Sequence, residues 1–205
     1  MKLRPVVCGA ILQFLLGIFC IRWTVGRTIF ECFGDKVAAF LNFGLNGASF
    51  VFGDFLVIEE NVFAFSALPT IFFFSLCISV LYYLGAMQWV LLKLGWILQS
   101  ILGTTVCESV NAAGNIFLGM SEGPLIIKPY IKSLTHSEIH AIMVSGFSTV
   151  SGTVLAAYIS FGAEAQHLIT ASVMAAPASL FFSKLMFPET EESKTTSGNI
   201  VMEKS

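Results

Sequence analysis

Long apolar runs separated by short polar breaks dominate this chain, and their lengths sort them into two kinds. Pro5 to Trp23 is apolar except for Gln13 and, at its far end, Arg22, and its 19 residues match the roughly 20 that a helix needs to cross a hydrocarbon core. Phe63 to Leu92 is a second long run, closed by Lys93, with Tyr82, Tyr83 and Trp89 suited to an interfacial aromatic belt. Pro69 near its start fits a first turn or a kink. Ala141 to Phe161 carries no charge, and Thr135-His136-Ser137-Glu138 ahead of it is a capping box that starts a helix. His167 to Phe187 is a fourth run, ended by Pro188-Glu189-Thr190-Glu191-Glu192. Each of the four predicts a membrane span.

Elsewhere the pattern changes. Phe33, Val37, Phe40 and Leu41 recur at helical spacing while Asp35, Lys36 and Asn42 take other faces, which predicts a short amphipathic helix along the interface over Phe30–Phe43. Asn46-Gly47 opens a loop that runs to about Asn61, with Asp54, Glu59 and Glu60 in water. Glu108 to Phe117 and Glu122 to Tyr130 hold only nine or ten residues each. At 1.5 Å per residue each reaches about 15 Å, half the hydrocarbon thickness. Two such arms joined by Leu118 to Ser121 predict a re-entrant hairpin whose tip sits near the midplane, with Ser121 capping the second arm and Pro124 in its first turn.

The chain thus divides into a first span (1–29), an interfacial helix and loop (30–62), a span (63–93), the re-entrant hairpin (94–134), two further spans (135–163 and 164–188) and a polar tail (189–205) that reads as disordered. The fold class is all-α: a polytopic membrane protein with about four spans, an interfacial amphipathic helix and a re-entrant helical hairpin. No tandem repeat is visible.

Composition agrees. Hydrophobic residues make up 56% of the chain and charged residues 12%, half the roughly 25% of a soluble domain. The net charge of −2 offers no basic patch for phosphates, so nucleic acid is excluded as a partner. Cys8, Cys20, Cys32, Cys77 and Cys107 lack zinc spacing and disulfide density and read as small apolar residues. Lys2 and Arg4 on one side of the first run balance Arg22 and Arg27 on the other, so charge gives no orientation.

The candidate chemistry lies in Gly114-Asn115-Ile116-Phe117-Leu118-Gly119-Met120-Ser121-Glu122-Gly123-Pro124. Between Asn61 and Ser137 the only acidic residues are Glu108 and Glu122. An ionisable group at membrane depth is costly and usually faces a cavity on a substrate or ion path. Non-helical backbone at that depth survives only where it lines a cavity or is buried in protein. Glu122 also fits a plain carboxylate at a helix start, and Glu108 a structural pair at the hairpin's base. His136 and His140 are spaced as in zinc helices but have no third ligand. An intramembrane enzyme would need a nucleophile–base pair or metal cluster in the spans, and none is evident.

Gly47-Ala48-Ser49-Phe50-Val51-Phe52-Gly53, Leu68-Pro69, Val80 to Gly85, Met87-Gln88-Trp89, Gly114 to Pro124, Ser137-Glu138, Gly152 to Tyr158, Met174-Ala175-Ala176-Pro177 and Pro188-Glu189-Thr190 resemble signatures of the concentrative nucleoside transporter family. The resemblance runs from Arg4 to about Glu192. It implies sodium- or proton-coupled nucleoside symport in the plasma membrane by a homotrimer with two re-entrant hairpins per protomer. The chain resembles the family's N-terminal half without the first membrane helix, and the second hairpin is missing. The resemblance implies that Gly119, Met120, Ser121, Glu122 and Val154 face the nucleoside. It also implies that Asn115, Thr149 and the carbonyls of Leu118 and Val150 hold sodium, a hard cation suited to neutral oxygens. In the family, Gly-Met at the tip with Thr-Val in the following helix goes with purine preference, so Gly119-Met120 with Thr153-Val154 implies a leaning to purine nucleosides. Many members carry Gln, whose amide reads the base edge, where this chain has Met120. The other reading is a truncated membrane protein that does not transport and associates with full-length subunits.

Overall fold

A computed structural model describes residues 3–60, 62–120, 122–191 and 193. Among them are nine α-helices and no strand. The helices are α1 (Leu3–Gly17), α2 (Thr24–Phe52), α3 (Phe63–Tyr83), α4 (Ala86–Leu102), α5 (Val106–Gly114), α6 (Gly123–Ile126), α7 (His136–Ser148), α8 (Gly152–Ser160) and α9 (Ala165–Met186). Among the described residues four segments are long and apolar enough to cross a bilayer: Arg4–Arg22, Phe63–Tyr83, His136–Ser160 and Ala165–Met186.

Apolar side chains cover much of the surface, as a lipid-facing protein requires. Phe14, Phe72, Leu76 and Met186 are all exposed. Packing between helices therefore relies on small residues that let backbones approach. Along α2 the buried positions are Gly26, Gly34, Leu41, Gly44 and Ala48, a helical seam against α3 and α9. Glu31, Asp35 and Lys36 stay exposed. The expected apolar face is therefore displaced: Phe33 is 46% exposed, and glycine and alanine do the packing.

Several elements end where the sequence pattern does not predict it. Helix α2 continues through Asn46-Gly47 to Phe52, so the loop expected from Asn46 begins only at Gly53, whose φ of 86° leaves the helix. Phe63 to Leu92 is not one helix. Gly85, at φ 76°, adopts a left-handed conformation open to glycine. It ends α3 and lets α4 run on to Leu102, beyond the boundary set by Lys93. A third difference is a break at Thr149–Ser151 inside the uncharged run, which separates α7 from α8.

Helix α5 is the centre of the molecule. Every residue from Cys107 to Gly114 is buried, and the helix packs against α4, α7 and α9. Its start carries the capping-box pair Thr105 and Glu108, with Glu108 accepting from Thr105 N–H, and α7 starts with the corresponding pair Thr135 and Glu138, there bonded both ways. The second arm of the hairpin is shorter than its pattern suggests. Helix α6 ends after one turn and gives way to a 3-10 segment, Lys128–Ser133. Pro129 explains the change, since it has no N–H to donate back along an α-helix and its ring crowds the turn before it.

Candidate functional site

The site grows from two interrupted helices that face each other. Helix α5 ends at Gly114, and the chain turns through Asn115 to Leu118, where Leu118 N–H donates to Gly114 O at 2.9 Å. Opposite it, Thr149 is extended, at φ −116° and ψ 154°, and the chain restarts as helix at Gly152. Ser151 caps the new helix by accepting from Val154 N–H at 3.3 Å. One direct bond joins the two breaks: Gly152 N–H donates to Phe117 O at 3.0 Å. Glycine is needed for that approach, because a Cβ at position 152 would stand 2.6 Å from Phe117 O and 2.5 Å from a Phe74 ring carbon. Gly146 is equally tight, with a Cβ there reaching 2.9 Å from Met120 Cβ.

Between the breaks lies an open groove of about 450 Å³, lined by Gly119, Met120, Glu122, Thr149, Val150, Thr153 and Val154, with Phe147 and Tyr158 at its sides. The volume falls within the roughly 300–1,000 Å³ of small-molecule sites. Met120, Glu122 and Val154 expose their side chains there. Four residues expected to meet substrate, Gly119, Met120, Glu122 and Val154, therefore share one groove with Thr149 and Val150. Ser121 lies outside the described residues. Leu118 is buried behind the groove, in contact with Met87 and Leu91.

Asn115 sits beneath the tip, fully buried. Its Nδ2 donates to Ser145 Oγ at 2.9 Å. Its Oδ1 has no hydrogen-bond partner among the described residues. A buried oxygen left unpaired costs about 1–3 kcal/mol, so it calls for an explanation, and an electropositive ligand is one. Thr149 is tied to the same place. Its Oγ1 donates to Ser145 O at 3.0 Å, which leaves the hydroxyl's lone pairs free. Amide, hydroxyl and carbonyl oxygens form a donor set that fits a hard monovalent cation. Ser145 was not visible as a site residue in the sequence, where it reads as one more small residue on a membrane helix. Only the i, i+4 spacing of Ser145 and Thr149 hinted that the two act together.

At the other end of α5 the polar groups bond mostly to one another, and Thr105 Oγ1 alone of the capping residues lacks a partner among the described residues. Glu108 Oε1 accepts from Thr105 N–H at 2.7 Å, and its Oε2 lies 2.8 Å from Lys184 Nζ. Lys184 also donates to Ser137 Oγ at 3.0 Å and to Glu189 at 3.2 Å. Thr135 Oγ1 donates to Glu189, and Ser193 Oγ donates to Glu138 Oε1 at 2.6 Å. The starts of α5 and α7, the end of α9 and the first residues of the polar tail are thereby knotted together. His140 Nδ1 lies 2.9 Å from Ser183 Oγ. No group of three metal-ligating residues occurs among the described residues.

Comparison with known proteins assigns the lineage. Residues 1–55 match the family model "Na+ dependent nucleoside transporter N-terminus" and residues 64–165 match "Nucleoside recognition". Sodium/nucleoside cotransporter 2 of Mus musculus is 54% identical over 191 residues, covering 93% of this chain and 29% of its own length. Sodium/nucleoside cotransporter 1 of Rattus norvegicus is 52% identical over 196 residues, covering 96% of this chain and 30% of its own. Among solved structures, that of CNTnw in an inward-facing substrate-bound state superposes with a TM-score of 0.91 at 39% identity, over 96% of this chain and 50% of that one. An outward-facing form of CNTnw gives the same TM-score at 37% identity. The chain thus spans under a third of the curated relatives' length and half of the solved ones. With its four apolar spans and re-entrant hairpin, it is a multi-pass plasma-membrane protein that belongs to the concentrative, sodium-dependent nucleoside transporter family, a family of transporters and not enzymes.

Proposed function

We propose that this chain supplies the cation and nucleobase contacts of a sodium-coupled nucleoside symporter. The observation that carries the reading is the convergence of two broken helices on one groove, with a buried, unpaired Asn115 oxygen against Gly123, next to the groove residue Glu122. Sodium is held by Asn115 Oδ1, Thr149 Oγ1 and the carbonyls of Leu118 and Val150. The nucleoside lies above, against Gly119, Met120, Ser121, Glu122 and Val154. Broken helices serve transporters in this way because their ends offer backbone polar groups that an intact helix would consume.

Coupling follows from the shared tip. Asn115 and Met120 are five residues apart on one short turn, so sodium that orders the turn also orders the wall of the base pocket. Each ligand then raises the affinity of the other. Met120 places a thioether, not a hydrogen-bonding amide, toward the base, and with Val154 it makes a largely apolar contact that favours the larger purine face. The working assembly is a homotrimer, as the family resemblance implies.

The test is sodium-gradient-driven uptake of labelled adenosine and uridine in cells without nucleoside transport, with surface expression verified. The chain is expressed alone and joined to the remaining part of a relative. Sodium-dependent uptake that disappears with Asn115→Ala and Glu122→Ala supports the reading. Uptake unaffected by both substitutions removes the groove from the transport path.

A further inference from the structure

We propose that Ser145 is a positioning residue that holds the two side-chain ligands of the sodium site, Asn115 and Thr149, in register. The inference rests on the sodium-site reading above and adds a residue that the reading does not contain. A carboxamide has two opposite ends, an oxygen that can ligate a cation and an NH2 group that repels it. Which end points at Gly123 of the second arm depends on what holds the other, and Oδ1 is the atom a Cβ on Gly123 would meet. Ser145 Oγ holds Nδ2 at 2.9 Å, and both residues are 0% exposed, so water does not compete for the amide. Turning the amide over would place the NH2 group where Oδ1 now stands unpaired.

The same residue acts on Thr149 through its backbone. Thr149 Oγ1 gives its proton to Ser145 O at 3.0 Å, one helical turn back, at the end of α7. That bond orients the hydroxyl so that its lone pairs, not its proton, are free. One residue therefore sets the amide with its side chain and the hydroxyl with its carbonyl, from helix α7, just before the break. Ser145 is not among the residues lining the groove, so it acts on the ligands and not on the substrate. Groups that orient metal ligands in this way are worth about 10–100-fold in metal affinity.

The experiment is a sodium titration of the purified 205-residue chain, at constant ionic strength with potassium as replacement, read as the rise in melting temperature. Ser145→Ala is expected to raise the sodium concentration at half-effect about tenfold, beyond any change in the sodium-free melting temperature. A purely structural role would lower that sodium-free temperature and leave the sodium midpoint where it was. If Ser145→Ala does not fold, Ser145→Cys, which retains a weak acceptor of similar size, is expected to shift the midpoint less and in the same direction. An unchanged midpoint in a folded Ser145 variant, while Asn115→Ala shifts it, overturns the role of Ser145 alone. An unchanged midpoint in Asn115→Ala as well, or no sodium effect on the unaltered chain, overturns the sodium site and this inference with it.

Discussion

The two ends of α5 bury similar polar side chains and treat them in opposite ways. At the base, Glu108 uses both oxygens, one on a backbone N–H and one on Lys184, and Ser109 Oγ donates to Thr105 O at 2.7 Å. At the tip, Asn111 and Asn115 each donate from Nδ2, and each keeps an oxygen with no partner among the described residues. Burial is complete at both ends, so exposure does not separate them. What separates them is the match of charge and acceptor: at the base the carboxylate meets Lys184 and only the Thr105 hydroxyl lacks a partner, while at the tip two amide oxygens lack one. A matched network fixes where the hairpin stands, and an unmatched one is ready for a ligand. A charged residue at membrane depth is thus a weaker sign of a binding site than an unsatisfied one.

The largest effect is expected at the base. Lys184→Met leaves Glu108 and Glu189 without their cation, with Glu108 only 1% exposed. Removing one partner of a buried ion pair costs about 3–5 kcal/mol, so the variant is expected to lose most of its folded, detergent-stable population in size-exclusion and melting assays. Glu108→Gln added to it should recover part of the loss. If Lys184→Met melts like the unaltered protein, the network does not hold the base.

Gly152→Ala attacks the joint between the two breaks. The added methyl must displace either Phe74 or the Phe117 carbonyl, at a cost of about 1–3 kcal/mol. Because Phe117 belongs to the tip, sodium-dependent stabilisation should weaken together with the melting temperature. A variant that loses stability and keeps its full sodium response would show that the joint is packing alone.

Asn115→Ala sharpens the contrast from the other end. It removes a buried oxygen that already lacks a partner, so its effect on sodium-free stability is expected to be smaller than that of Lys184→Met. Sodium dependence and nucleoside dependence of uptake should fall together, by about tenfold or more. Loss of only one would sink the coupling argument. The smallest effect is expected from Met120→Gln. A new amide at the edge of the base pocket, worth roughly 1 kcal/mol, should shift selection toward pyrimidine nucleosides by about fivefold in competition uptake. Unchanged selectivity would remove Met120 from contact with the base.

Legible in the sequence were the helix break after Gly114, the capping box at Thr135 and the placing of Gly119, Met120 and Glu122 together, because charge scarcity and glycine clustering are visible one residue at a time. It hid the rest for physical reasons. The break at Thr149–Ser151 depends on Phe117 O accepting from Gly152 N–H, a partner supplied from 35 residues away. Serine and threonine in a membrane helix usually do no more than pack. Gly85 reads as an ordinary glycine of a membrane helix, and only its positive φ marks it as a stop. The start of α5 was legible in principle, since Thr105 and Glu108 repeat the spacing of Thr135 and Glu138. Lys184 sits near the end of an apolar run, and nothing local marks it as the counter-ion of a carboxylate 76 residues earlier.

The most direct test of the contrast between the ends of α5 is amide hydrogen exchange on the purified chain, with sodium against potassium at equal ionic strength. Sodium is expected to slow exchange at Asn115 to Gly123 and at Thr149 to Val154, and to leave Thr105 to Ser109 and Thr135 to Glu138 unchanged. Equal protection at tip and base, or none at the tip, would contradict the account.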